Sequence, residues 1–337
     1  MSRRWLGITG LALLAGTASF PAHASYEFYG LLHVSGDYVD NGPLRALALG
    51  SNESRLGVKG SQDLDFGLKA LWKVETAVDL TGESSTLEPR NRYIGLLSSF
   101  GSVIAGYHDT PFKALGARVD LFSNSLGDRR AIMGNGNGTS TDLLARNSIM
   151  YVSPRVAGIE LRVLGSPGES DSHQLGDKGS VMSVSAVHRS SLVYFGAAYE
   201  EQRLIHTEGV RAGAGVTLGD AQINGIYERM KSDSGTAFDR DAYGFSAAYR
   251  YSATTFKVQA LQAADVTDQP NSKGALFAAG VSQALGKSVE VYAMAARVDN
   301  KGGSAFAMAP VAHGEIYPTS APGQDVYGAS VGMEFKF

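Results

Sequence analysis

The chain has 337 residues, among them 41 glycines and 10 prolines, with no cysteine and 30 Lys+Arg against 33 Asp+Glu. So much glycine, with a mean hydropathy of -0.08, excludes a helical bundle and a helical membrane protein. The missing cysteines exclude a disulfide scaffold, a thiolate metal site and a cysteine nucleophile, and the slight acidity argues against a nucleic-acid partner.

In chain order, the first segment is an address. Arg3 and Arg4 precede an uncharged apolar stretch from Trp5 to Ala18, and Ala22-His23-Ala24 is a small-x-small cleavage site. Residues 1–24 therefore read as a cleaved secretory signal and residues 25–337 as one domain. Without Arg3 and Arg4 the formal charge of -3 becomes two units more negative.

From Tyr26 onward the organising period is two. Leu68, Ala70, Trp72, Val74, Val78 and Leu80 alternate with Lys69, Lys73, Glu75 and Asp79. Tyr243, Phe245, Tyr249 and Tyr251 share one side of a segment whose other side carries Ser246 and Arg250; Phe256 and Val258 oppose Lys257 and Gln259. The last run alternates Tyr327, Val331, Met333, Phe335 and Phe337 with Ser330, Glu334 and Lys336. The connections alternate between short ones, as at Ser98–Phe100 and Gly219, and long ones, as at Asn41–Asn52, Asp109–Ala145 and Asn300–Gln324. One apolar face, one charged face and loops sorted by length predict an all-β fold, a closed transmembrane antiparallel β-barrel of about 16 strands. Closure satisfies every backbone donor and acceptor in lipid and leaves no exposed edge. The charged face, including Arg55, Lys59, Lys73 and Glu75, then lines a wet lumen.

The residues also resemble a known family. Phe28-Tyr29-Gly30, Arg55-Leu56-Gly57-Val58-Lys59-Gly60-Ser61-Gln62-Asp63-Leu64, Gly67-Leu68-Lys69-Ala70, Arg90 before Tyr93-Ile94-Gly95-Leu96, Phe100-Gly101-Ser102-Val103 and Arg146-Asn147-Ser148-Ile149-Met150-Tyr151 occur in the order and spacing of a Gram-negative general porin. The chain ends on Phe337 as those porins do. The resemblance implies a homotrimer in the outer membrane, in contact with lipid and lipopolysaccharide, that passes small hydrophilic solutes and ions passively. It also implies that Phe337 is a signal for the barrel assembly machinery.

In that family the third extracellular loop folds inward and narrows the pore, and Asp109–Ala145 occupies its place. The resemblance puts Arg55, Arg90 and Arg146 on the wall opposite, Asp120 and Asp128 on the loop, and Asp109 at its base. The loop lacks the Pro-Glu-Phe-Gly-Gly motif of enterobacterial relatives and adds Arg118, Arg129 and Arg130. The net acidity implies weak cation preference, which the added arginines oppose, and Asp120→Asn is expected to raise anion permeability. Two other readings share the fold: a substrate-selective uptake channel and an outer-membrane hydrolase. The second needs a histidine beside a nucleophile and a carboxylate; His108-Asp109 is a weak pair, because neighbours in a strand point to opposite faces. No cofactor and no metal cluster of His, Cys or paired carboxylates is called for.

Overall fold

The computed structural model describes residues 24–82, 87–136, 139–167, 181–233, 238–308 and 320–337; the expected signal segment lies outside them except for Ala24. In chain order the elements are β1 (Ala24–Asp40), β2 (Arg45–Ser51), β3 (Arg55–Asp63), β4 (Lys69–Ala77), β5 (Pro89–Ser98), β6 (Gly101–Asp109), α1 (Pro111–Val119), β7 (Asn135–Gly136), β8 (Thr139–Ser140), β9 (Leu144–Val152) and β10 (Ile159–Ser166). They continue with β11 (Val181–Arg189), β12 (Val193–Gln202), β13 (Thr207–Leu218), β14 (Ala221–Ser232), β15 (Phe238–Tyr251), β16 (Thr254–Ala263), β17 (Gly274–Ala284), β18 (Val289–Asn300) and β19 (Val326–Lys336).

Apart from the β7–β8 hairpin, each strand pairs antiparallel with its neighbours, and β1 pairs with β19 on one side and with β2 and β3 on the other, so the sheet closes. β2 and β3 follow one another along β1, which makes the 17 paired strands a 16-position wall. Alternation along each strand sorts the side chains. Ile94, Phe245 and Val331 are 67%, 57% and 62% exposed on the outside, whereas His33, Ser185 and Gln259 are 1%, 6% and 3% exposed within. A soluble protein would reverse those faces; here the apolar side chains meet lipid and the polar ones the lumen.

The structure corrects two expectations. Asn41–Asn52 is not a long loop: the chain turns tightly at 41–44, where Asn41 Oδ1 accepts from Leu44 N and Asp40 Oδ1 from Gly42 N, and returns as β2. Gly42 takes a positive φ of 93° that a side chain would resist, so Asp40-Asn41-Gly42-Pro43 is turn chemistry that the sequence reading passed over. The segment after β6, expected as a long loop, opens with the helix α1.

The last residue completes the ring. Gly30 N donates to Phe337 O at 2.9 Å and Phe337 N to Gly30 O at 3.2 Å. The Phe337 ring lies over Gly30, where any Cβ would meet it. Deleting Phe337 removes this closing pair, so the fraction of heat-modifiable folded barrel on gels should fall while surviving channels keep their conductance. An unchanged folded fraction with altered conductance would contradict a role in closure.

Candidate functional site

The site is the lumenal segment between β6 and β9 together with the wall it touches. Thr110 caps α1, its hydroxyl accepting from Lys113 N at 3.2 Å, and Pro111 opens the first turn with its φ already helical. Phe112, Leu115, Gly116 and Val119 recur at helical spacing and form the buried face. That face docks against the inner wall from β10 to β14. Gly209 is required there, since a Cβ would stand 2.8 Å from Phe112 Cζ. Polar wall side chains then take up the segment's backbone. Ser183 Oγ accepts from Phe112 N at 3.2 Å, Ser246 Oγ donates to Val119 O at 3.0 Å, and Gln259 Nε2 donates to Gly127 O at 2.9 Å.

Phe112, Leu115, Phe122, Leu126, Ile132 and Met133 are all at most 5% exposed, so the main apolar cluster of this barrel lies inside the lumen, between segment and wall. Burying such a side chain contributes about 1.5–3 kcal/mol, while ordering each residue costs about 1–2 kcal/mol of backbone entropy. Only some of the segment's residues are apolar, so burial alone does not hold it and ionic contacts must contribute.

Those contacts form two groups. In the first, Arg211 of β13, fully buried, donates from Nε to Glu228 Oε2 of β14 at 2.8 Å, from Nη1 to Asp142 Oδ1 at 2.8 Å and from Nη1 to Phe112 O at 2.9 Å. Arg129 Nη1 reaches Asp142 Oδ2 at 2.7 Å, and Glu228 Oε1 accepts from Gly134 N at 2.6 Å. Burial opposes ionisation of Asp142, but Arg129 and Arg211 together outweigh it and hold its carboxyl well below the usual range.

The second group centres on two glutamates across the lumen. Glu75 of β4 accepts from Tyr29 at 2.7 Å and pairs with Arg90 at 3.1 Å, Lys73 at 3.2 Å and Arg55 at 3.9 Å. A bulge opposite Glu75 in β5 lets both Arg90 and Asn91 reach inward. Glu53 occupies the break between β2 and β3, where a φ of 52° turns it toward Arg90 at 3.0 Å and Arg130 at 3.3 Å. The segment's Arg130 is thereby tied to the wall.

The residues proposed from the sequence divide accordingly. Arg55, Lys73 and Arg90 converge on Glu75; Lys59 pairs with Glu27 at 3.1 Å nearby; Asp109 binds Lys113 at 2.8 Å and Asn91 at 2.9 Å. Arg146 is exposed beside the bulge at Asn147, apart from both groups. Asp128 is fully buried and accepts from Asn124 N, Arg130 N and the Arg130 guanidinium, so it braces the segment from within. Asp120 accepts from Phe122 N at 2.9 Å and Arg129 N at 3.0 Å; burial, with Asp128 nearby, pushes its carboxyl up to about 6. Arg118 is exposed at the end of α1. Sequence reasoning missed Arg211, Glu228, Asp142 and Glu53. Arg211 and Glu228 lie on the polar face of their strands and are direct register partners, a signal that becomes visible only once the pairing is known.

His108 packs against Ser148 at 3.3 Å while Asp109 turns to Asn91 and Lys113, so the three make no nucleophile-base relay. No cluster of three or more metal-ligating side chains occurs among the described residues.

The sequence profile of Gram-negative porins matches residues 10–303. Major outer membrane protein P.IB of Neisseria lactamica is 26% identical over 181 residues, 54% of this chain and 51% of that protein, so the match spans about half the length of that relative. Among solved structures, an anion-selective porin from Comamonas acidovorans superposes with a TM-score of 0.81 at 22% identity, covering 93% of this chain and 100% of that one. A trimer form of OmpT from Vibrio cholerae gives 0.72 at 17% identity, covering 94% and 100%.

Removing one partner from a buried ionic group costs about 3–5 kcal/mol because the others stay buried unpaired. Arg211→Met should therefore release the segment, raising single-channel conductance and exposing residues 110–143 to protease; unchanged conductance and protease resistance would refute the anchor. The depressed Asp142 contributes its stabilisation fully above its unfolded value of about 3.9 and loses it only as pH falls through the lower folded value. Asp120, raised instead, favours the folded segment once protonated. Protease resistance should accordingly persist from pH 7 to pH 5, and cleavage appearing in that window would contradict the assignment.

Proposed function

This chain belongs to the Gram-negative porin family, and we propose that it is an outer-membrane channel through which small hydrophilic solutes and ions diffuse passively, with a preference for anions. The observation that carries the preference is the fate of the carboxylates. Asp120 and Asp128 are spent on backbone and guanidinium donors within the segment, and Glu53 and Glu75 are 11% and 3% exposed beneath several cations. Arg55, Lys73, Arg118 and Arg162 keep more of their surface toward the lumen. The weak cation preference inferred from net charge therefore gives way to the opposite sign. One unit charge about 4 Å from an ion is worth only about 1 kcal/mol in water, so the bias is severalfold rather than absolute.

The same family reading makes residues 25–337 the mature barrel, delivered by a cleaved leader and inserted by the barrel assembly machinery. The short turns face the periplasm and the long loops the outside. The trimer form of OmpT supports assembly as a homotrimer in contact with lipid and lipopolysaccharide. Catalysis has no part in this reading.

The reversal potential across a planar bilayer with a salt gradient tests it. An anion-preferring sign is expected. Glu53→Gln should increase that preference more than Asp120→Asn, because Glu53 directly neutralises Arg90 and Arg130 while Asp120 faces backbone amides. A cation-preferring sign, or a larger effect from Asp120→Asn, would overturn the assignment.

A further inference from the structure

A second set of arginines stands apart from both ionic groups, at the short-turn end of the lumen. Arg189 closes β11 and is the direct register partner of Tyr194 in β12. Its Cζ lies 5.8 Å from the Tyr194 ring centroid, and the Cζ of Arg118, carried down by the last turn of α1, lies 5.4 Å from the same centroid. The two charges are thus no farther apart than those two distances together. Among the described residues neither has a carboxylate within ion-pair distance, and Arg189 Nε is buried without an acceptor.

The surrounding groups do not neutralise the pair. Glu160, inward-facing on β10, is engaged by Arg162 at 2.8 Å and Arg155 at 3.5 Å. Asp120, next along from α1, is turned to Phe122 N and Arg129 N. Arg155 and Arg162 thus hold the one carboxylate nearby, and the Tyr194 ring is the side chain that Arg118 and Arg189 share among the described residues. Like charges held close in a partly enclosed lumen raise the local concentration of anions. Guanidinium forks share the oxygens of a tetrahedral oxyanion better than point charges do.

We propose that Arg118 and Arg189, with Tyr194 between them, form an anion-binding station for phosphate-class dianions at the periplasmic end of the channel. The station rests on the channel reading. Being assembled from one segment residue and two wall residues, it exists only while α1 is docked. A station in a conducting path must bind strongly enough to collect the ion and weakly enough to release it, which predicts saturable block rather than tight capture.

The experiment is a bilayer titration of chloride current with inorganic phosphate, with acetate and succinate as comparisons, for the wild type, Arg118→Gln, Arg189→Gln and the double variant. Wild-type KCl conductance is measured first; its absence would refute the channel reading itself. Phosphate is expected to reduce the current saturably, more effectively from the periplasmic side and at lower concentration than succinate or acetate. Each single variant should raise the half-blocking concentration about tenfold, the effect of losing one charge-assisted contact. Arg118→Gln alters an exposed helix end, so it remains informative if Arg189→Gln fails to fold. Block that stays linear in phosphate, favours succinate, or persists unchanged in Arg118→Gln would overturn the proposal.

Discussion

Closure of the hydrogen-bonded sheet is the constraint from which the rest follows. In lipid no backbone group finds water, so a sheet can span only as a ring without edges. β1 meets this by pairing with β19 and with β2 and β3 together, and Gly30 and Phe337 complete the seam. Closure then dictates the inverted faces, and the inverted faces leave a polar lumen with no packed core of its own.

The segment after β6 supplies that core. Its helix brings an apolar face to the wall while Ser183, Ser246 and Gln259 bond its backbone, and Arg211 locks it between Asp142 and Glu228. This arrangement separates two kinds of charge. Carboxylates are used to hold the segment, and part of the arginine surface stays toward the water-filled path. On the proposed reading an acidic chain presents a cationic lumen, because selectivity depends on which charges face the ion and not on their total.

The wall was legible because a period of two is a local property: the residues of β4, β15, β16 and β19 announce their faces without knowledge of any partner. The lumenal site was legible only where it shared that alternation, as for Arg55, Lys73 and Glu75. Glu53 was hidden because it sits in a strand break with positive φ, and the partners of Asp120 and Asp128, backbone amides for both and the Arg130 guanidinium for Asp128, follow from the folding of the segment and not from any strand pattern. α1 was overlooked although Thr110-Pro111 and the spacing of Phe112, Leu115 and Val119 are ordinary helix signals. Arg211 and Glu228 needed the register of β13 on β14, which sequence alone does not provide.

The central claim is that the segment is seated on the inner wall, and an engineered cross-link tests it most directly. A Cβ at Gly213 would lie 3.4 Å from Val119 Cγ1, and the native chain has no cysteine to interfere. Val119→Cys with Gly213→Cys should form a disulfide on mild oxidation of the assembled barrel, leaving no free thiol for a labelling reagent and little change in conductance. Two freely labelled thiols in a folded, conducting barrel would show that the segment does not occupy the lumen as described.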